Sequence, residues 1–227
     1  MKRFRKILII SGIIACFIAC IGDFAVTFIF GSRYPGYSQL HDTMSALGAS
    51  ASPVTGIISA WWMLMGVLFI LFAIAFRLSF RPDSYVKTAS LLIVLYGLGE
   101  GLGSGIFKAD PSGRTFISSY MVHNFVGGIG VIAIMALPLI MKKIIHRDAN
   151  PLFCHISNLV FAAGILFIML FLFRFGGTGV VAALKGLWQR LFVLNSYLYL
   201  LLLNTMMMRN LFLKNHDKWP DSMIFRE

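Results

Sequence analysis

A chain of 227 residues that is 58% hydrophobic and only 13% charged, with a mean hydropathy of +0.81, is too apolar for an ordinary soluble domain, which is about half apolar and a quarter charged. The composition is that of a membrane protein, and the fold class it predicts is all-α: a polytopic bundle of transmembrane helices. A formal net charge of +11 does not require nucleic acid, because no basic stripe with interleaved aromatics lies on a soluble fold.

The chain opens with Lys2-Arg3-Phe4-Arg5-Lys6 ahead of apolar residues, and Ile13-Ile14-Ala15-Cys16 matches a lipoprotein cleavage box. The apolar run before Cys16 is nevertheless short, and it continues to Phe30, long enough to span. The reading is a retained first helix. Six apolar segments follow at 7–30, 54–76, 88–106, 119–141, 152–173 and 189–208, each close to the length that crosses a hydrocarbon core. Residues 1–227 therefore read as one transmembrane domain. Cys16, Cys20 and Cys154 form neither a metal-spaced pair with histidine nor an even disulfide framework, and they read as small apolar residues of the helices.

Orientation follows from the basic flanks, since Lys and Arg near span ends stay cytoplasmic. Of the twenty Lys and Arg, fourteen fall on one side: Lys2, Arg3, Arg5, Lys6, Arg77, Arg81, Lys87, Lys142, Lys143, Arg147, Arg209, Lys214, Lys218 and Arg226. Arg33, Lys108, Arg114, Arg174, Lys185 and Arg190 fall on the other. Both termini are expected inside, and the high charge becomes a matter of topology and of anionic headgroups.

The inner connections are short. Arg81-Pro82-Asp83-Ser84 makes a turn in 78–87, and Asn150-Pro151 ends one helix and starts another in 142–151. The outer ones are longer, and long loops on one side are where function tends to sit. Loop 31–52 carries the turn Tyr34-Pro35-Gly36-Tyr37, a short helix over 40–47, and Ser52-Pro53 as N-cap and first residue of the next span. Loop 107–118 holds Asp110-Pro111-Ser112-Gly113, suited to a type I turn, and loop 175–188 holds Gly176-Gly177-Thr178-Gly179. The third span ends with Gly97, Gly99, Gly101, Gly103 and Gly105 around Glu100. No window fits a dinucleotide fingerprint. The four-residue spacing favours close helix packing; the alternative is a local break in the helix that exposes backbone groups to a ligand.

Four of the nine acidic residues, Asp23, Asp42, Glu100 and Asp110, fall in the outer half with His41 and His123, where ionisable groups are costly. Each has a plain reading: Asp23 as a headgroup-level carboxylate or a partner of a nearby Arg or Lys, His123 as an interfacial donor, Asp110 as a turn residue, His41 and Asp42 as loop residues. Their shared location raises the functional reading. The expectation is one outward-facing pocket in which Asp42, Asp110 and His123 converge, with Glu100 below and Arg190 closing from the final loop. The catalytic candidates are Asp42, Ser45, Asp110 and His123. The ligand-binding candidates are Asp23, Arg33, His41, Glu100, Lys108, Arg114, Asn124 and Arg190, and a metal site, with Zn2+ as the metal, would draw on His41, Asp42, Asp110 and His123. His146, His155 and His216 fall on the inner side.

Tyr34-Pro35-Gly36-Tyr37-Ser38, Ser45-Ala46-Leu47-Gly48-Ala49, Ser52-Pro53, Phe107-Lys108-Ala109-Asp110-Pro111 ahead of His123, and Gly186-Leu187-Trp188-Gln189-Arg190 resemble the prokaryotic membrane proteins grouped as domain of unknown function 998. The resemblance runs over nearly the whole chain. It implies a six-helix fold in a prokaryotic plasma (inner) membrane and a shared outer site at Asp42, Ser45, Asp110, His123 and Arg190, and it supplies no activity.

Three functional classes follow. The first is a binding or transport-type protein whose partners are membrane lipids and a small amphiphile, with Arg33, Lys108, Arg114 and Arg190 available for phosphate or carboxylate. The second is an intramembrane lipid hydrolase, similar in ingredients to alkaline ceramidases, with Zn2+ and an activated water; the chain lacks those enzymes' paired histidines near its end, and no nucleophile elbow is present. The third is a structural subunit whose polar cluster holds helices together. Trp61, Trp62, Trp188, Tyr37, Tyr96 and Tyr120 read as interface anchors or packing.

Overall fold

The computed structural model describes residues 2–110, 118–173 and 179–212, and its elements are all helical: α1 (Lys2–Gly31), α2 (Met44–Leu47), α3 (Thr55–Ser79), α4 (Ser84–Tyr96), a π-helical stretch (Gly97–Gly103), α5 (Ser104–Ile106), α6 (Ser119–Ile144), α7 (Pro151–Leu172), α8 (Val180–Ala183) and α9 (Lys185–Phe212). Six helices are long and apolar enough to cross a membrane, with α4, the π stretch and α5 forming one continuous span over Ser84–Ile106. These are the six segments the hydropathy pattern marks.

Local chemistry sets the helix starts. Asp83 caps α4, its carboxylate accepting the N–H groups of Ser84 and Tyr85, and Asn150 caps α7 by accepting the Phe153 N–H at 3.0 Å, with Pro151 at the first helical position. Both satisfy helix donors that would otherwise be orphaned. Two expected boundaries differ. The short outer-loop helix is confined to Met44–Leu47, because Thr43 is extended (φ −70°, ψ 153°) and its hydroxyl accepts the Ala46 N–H as an N-cap, while the Asp42 carboxylate turns back to the Ser38 N–H. Ser52-Pro53 does not start α3: Ser52 Oγ accepts the Val54 N–H, and the helix begins at Thr55, whose hydroxyl donates to Gly48 O at 3.0 Å. Most of Asp110-Pro111-Ser112-Gly113 and of Gly176-Gly177-Thr178-Gly179, together with Arg114, lies outside the described residues.

Helix α3 is the hub, packing on α1, on α4 and on the π stretch. Its Phe69, Phe72 and Phe76 are fully buried. Helix α7 is the most peripheral span, with 11% of its apolar window buried against 39% or more for the other five, so the other described helices leave most of its surface uncovered.

The glycine-rich third span is wedged between α3 and α6. A Cβ on Gly97 would stand 2.8 Å from the Gly66 carbonyl oxygen, and one on Gly99 would stand 2.9 Å from Gly130 Cα. Backbones thus meet on both faces, as small-residue spacing predicts. A glycine in a helix interior costs about 1 kcal/mol relative to alanine, and close contact on two sides offsets that cost. The span does not break, as the alternative reading would require: over Gly97–Gly103 it leaves α geometry for the wider π turn and stays continuous.

Candidate functional site: an acidic cavity under the 32–54 loop

Asp23 lies in the last third of α1 and is 2% exposed. Trp61 Nε1 on α3 donates to one carboxylate oxygen at 3.1 Å, and the Tyr197 hydroxyl on α9 donates to the other at 2.9 Å. Gly22 makes this geometry available, since a Cβ there would stand 2.7 Å from a Trp61 ring carbon. Both donors are uncharged. A hydrogen bond to a charged group contributes roughly 1.5–3 kcal/mol, whereas desolvating a carboxylate costs several kcal/mol before compensation. Asp23 is too buried to be the headgroup-hydrated carboxylate expected. Of the basic residues proposed for it, Arg33 stacks over the Phe30 ring at 5.3 Å, Lys108 Nζ donates to Thr55 and Ser59, Arg190 is committed as described below, and Arg114 lies outside the described residues.

Glu100 projects from the π stretch toward α6. A Cβ on Gly127 would stand 2.8 Å from Glu100 Oε1, and one on Gly130 would stand 3.2 Å from its Cγ. The glycines of α6 therefore make the space this carboxylate occupies. No hydrogen-bond partner stands against it among the described residues, so the widened turn delivers an unaccompanied carboxylate to the bundle interior.

Asp23 and Glu100 line one cavity of ≈ 30 Å3, with Ser45 and Met44 of the loop above, Ser104 and Tyr96 beside Glu100, and Trp62, Met65, Gln189, Val193 and Tyr197 completing the wall. That volume suits about two water molecules or a group of similar size. Two acids and five aromatic or methionine side chains line it, and no Lys, Arg or His does.

The loop is strapped across this cavity from α9. Arg190, 6% exposed, donates through Nη1 to Asp42 O at 2.9 Å and Gly186 O at 3.0 Å, and through Nη2 to the Tyr37 hydroxyl and Gln39 Oε1. Gln189 Oε1 accepts the Met44 N–H at 2.7 Å. Burial pushes the Tyr37 phenol above its ordinary pKa despite the adjacent guanidinium, so it stays neutral and can also donate to Thr43 O. Gly186 lets the strap close, because a Cβ there would collide with the Asp42 carbonyl.

The expected pocket thus divides. Asp23, Ser45 and Glu100 meet in the cavity. Arg190 and the backbone of Asp42 belong to the strap, while the Asp42 carboxylate turns back to the Ser38 N–H at 2.8 Å. His41, exposed, pairs through Nδ1 with Ala183 O. Asp110 accepts from Ser50, the Lys108 N–H donates to Ser119 Oγ, and buried His123 pairs through Nδ1 with Phe107 O at 2.9 Å. Asn124 is exposed on α6. Among the described residues no three His, Cys, Asp or Glu side chains are grouped to hold a metal ion, so His41, Asp42, Asp110 and His123 do not form the three-ligand set expected of them. Each finds a local partner instead. Trp61, Trp62, Tyr96 and Tyr197 were not singled out as site residues by sequence reasoning, because aromatics at membrane depth usually pack; the signal available was a buried acid that needed donors.

No curated protein and no solved structure matches this chain. A family model described as "Protein of unknown function (DUF998)" matches residues 17–206, and the chain belongs to that family.

Proposed function

We propose that this DUF998 member is a binding or transport-type membrane protein whose acidic cavity, facing the outer side under both-termini-inside topology, receives the primary ammonium group of a small amphiphile or lipid headgroup. The observation that carries the reading is the pairing of Asp23 and Glu100 in one ≈ 30 Å3 space without a basic lining residue. Intramembrane acids are otherwise paired or mark a ligand path. A primary ammonium is about the size of a water and offers three donors, and the aromatic residues Trp62, Tyr96 and Tyr197 line the space, the side-chain class that attracts cations. A quaternary ammonium is too large for the space and carries no N–H for the carboxylates.

Calorimetric titration of the purified protein with ethanolamine and with choline tests this. Ethanolamine should bind and choline should not, and Glu100→Gln should weaken ethanolamine at least about tenfold, equivalent to about 1.4 kcal/mol. Equal binding of both amines, or binding indifferent to Glu100→Gln, would remove the cavity as the site.

A further inference from the structure

We infer that the cavity is a cation exchanger: it holds one proton while it is free of amine, and one primary ammonium binds by driving that proton out. The inference rests on the ammonium reading above and adds the proton as a second ligand of the same site. A charge count carries it. Asp23 and Glu100 both line the cavity. Asp23 has the Trp61 and Tyr197 donors on its carboxylate, and the charge of Arg190, three residues before Val193 of the cavity wall on α9, reaches it. Glu100 has no donor against it among the described residues, and the charge that reaches it is that of Asp23, which has its own sign. One guanidinium therefore balances one carboxylate and leaves the other over. An ionised acid without a counter-charge is costly inside a bundle, a like charge facing the same space adds to that cost, and room for about two waters does not restore its hydration. One bound proton removes the excess.

The same count fixes what an incoming amine must do. Arg190, one ionised acid and one protonated acid sum to zero. An ammonium added to that set leaves a net positive charge in the bundle interior, whereas an ammonium that displaces the proton returns the sum to zero, with both carboxylates ionised around it. The only bond that breaks is the O–H of one carboxylic acid, and its proton passes to water as the cation enters. The other groups around the acids leave the count unchanged. Cys20, three residues before Asp23 on α1, Tyr96 on the third span and Tyr197 on α9 are a thiol and two phenols, neutral near neutral pH. His123, one turn before Gly127 on α6, has its ring tied to Phe107 O and does not line the cavity, and Lys108 Nζ is held by Thr55 and Ser59 in the first turns of α3. The α3 and loop residues of the wall do not titrate.

Calorimetry of ethanolamine binding to the purified protein at about pH 6, in phosphate and in Mes buffer, counts the protons released, because the two buffers differ in heat of ionisation. Ethanolamine is already a cation in this range, so any proton comes from the protein. The wild type should release about one proton per ethanolamine bound, and its affinity should weaken by up to about tenfold for each unit by which the pH is lowered, the dependence of a one-proton linkage. Whatever binding Glu100→Gln retains should release none and should not change with pH. Ethanolamine that binds the wild type with the same heat in both buffers would overturn the exchange and leave the ammonium site standing, and this comparison requires no variant to fold. Proton release undiminished in Glu100→Gln would overturn it as well, by placing the proton elsewhere. Absence of ethanolamine binding in either buffer removes the ammonium reading and the exchange together.

Discussion

Two acids at similar depth in this bundle are treated differently by their neighbours. Asp23 receives an indole N–H and a phenol O–H, so Tyr197→Phe should leave one buried carboxylate oxygen without its donor and lower stability by about 1–3 kcal/mol, read as a drop in thermal midpoint in detergent. Glu100 has no such donors, so Glu100→Gln should cost little stability while it removes ammonium binding; a large loss of thermal stability in that variant would instead mark Glu100 as structural. A third acid, Asp110, illustrates surface behaviour. The Ser50 hydroxyl, then the Ser50 N–H, hold its carboxyl below the usual carboxylate range. A group whose pKa is depressed on folding stabilises at pH above its unfolded value, about 3.9, and that contribution is lost as pH falls through the lower folded value. Hydrogen exchange at the Ser50 amide should therefore show pH-independent protection between about pH 5 and 7 once the intrinsic rate is corrected, with opening only in stronger acid. Asp110→Asn should loosen this clasp at every pH.

At the scale of elements, the third span combines tight packing with a π turn, and the two have one cause. Glycines remove the side chains that would hold α3 and α6 apart, and the wide turn then points Glu100 at Gly127 rather than at lipid. Gly101→Leu should disrupt folding or assembly, because the added side chain would meet the Gly66 backbone, with a Cβ alone 2.6 Å from its nitrogen. Gly127→Ala is milder: the new methyl would press on the Glu100 carboxylate, which can rotate, so the protein should fold yet bind ethanolamine several-fold more weakly. Wild-type affinity in Gly127→Ala would show that Glu100 does not need the space α6 leaves. The spans, the glycine contacts and the helix start at Asn150-Pro151 were legible in the sequence because each depends on residues close in the chain or on a simple period, whereas Asp83 was read only as part of a turn and Ser52 as a cap it does not form. The composition of the site was legible only in part. Asp23, Glu100 and Ser45 were named, but which polar residues share a cavity depends on helix rotation and on local partners. Ser38 captures Asp42, Ser50 captures Asp110 and a carbonyl captures His123, and spacing in sequence carries none of that.

For the whole molecule, the placement of the cavity gives the direction of the protein in the membrane functional meaning. Asp23 lies nearer the C-terminal end of α1, and the 32–54 loop that covers the cavity joins α1 to α3, so the site opens toward whichever side holds that loop. Among the described residues, Lys2, Arg3, Arg5, Lys6, Arg77, Arg81, Lys87, Lys142, Lys143, Arg147 and Arg209 lie at the opposite ends of the spans. The insertion machinery retains such positive flanks on the cytoplasmic side. The prediction is that the loop and cavity face outward with both termini inside. Single cysteines placed at Ser32 and at Asp148, both exposed positions, provide the measurement in a background where Cys16, Cys20 and Cys154, all buried, are replaced by alanine. An impermeant maleimide applied to intact cells should label Ser32→Cys and spare Asp148→Cys until the membrane is opened. The reverse pattern would place the acidic cavity on the cytoplasmic side. A headgroup or free amine would then have to reach it from within the cell, and the basic flanks would have failed to orient the chain.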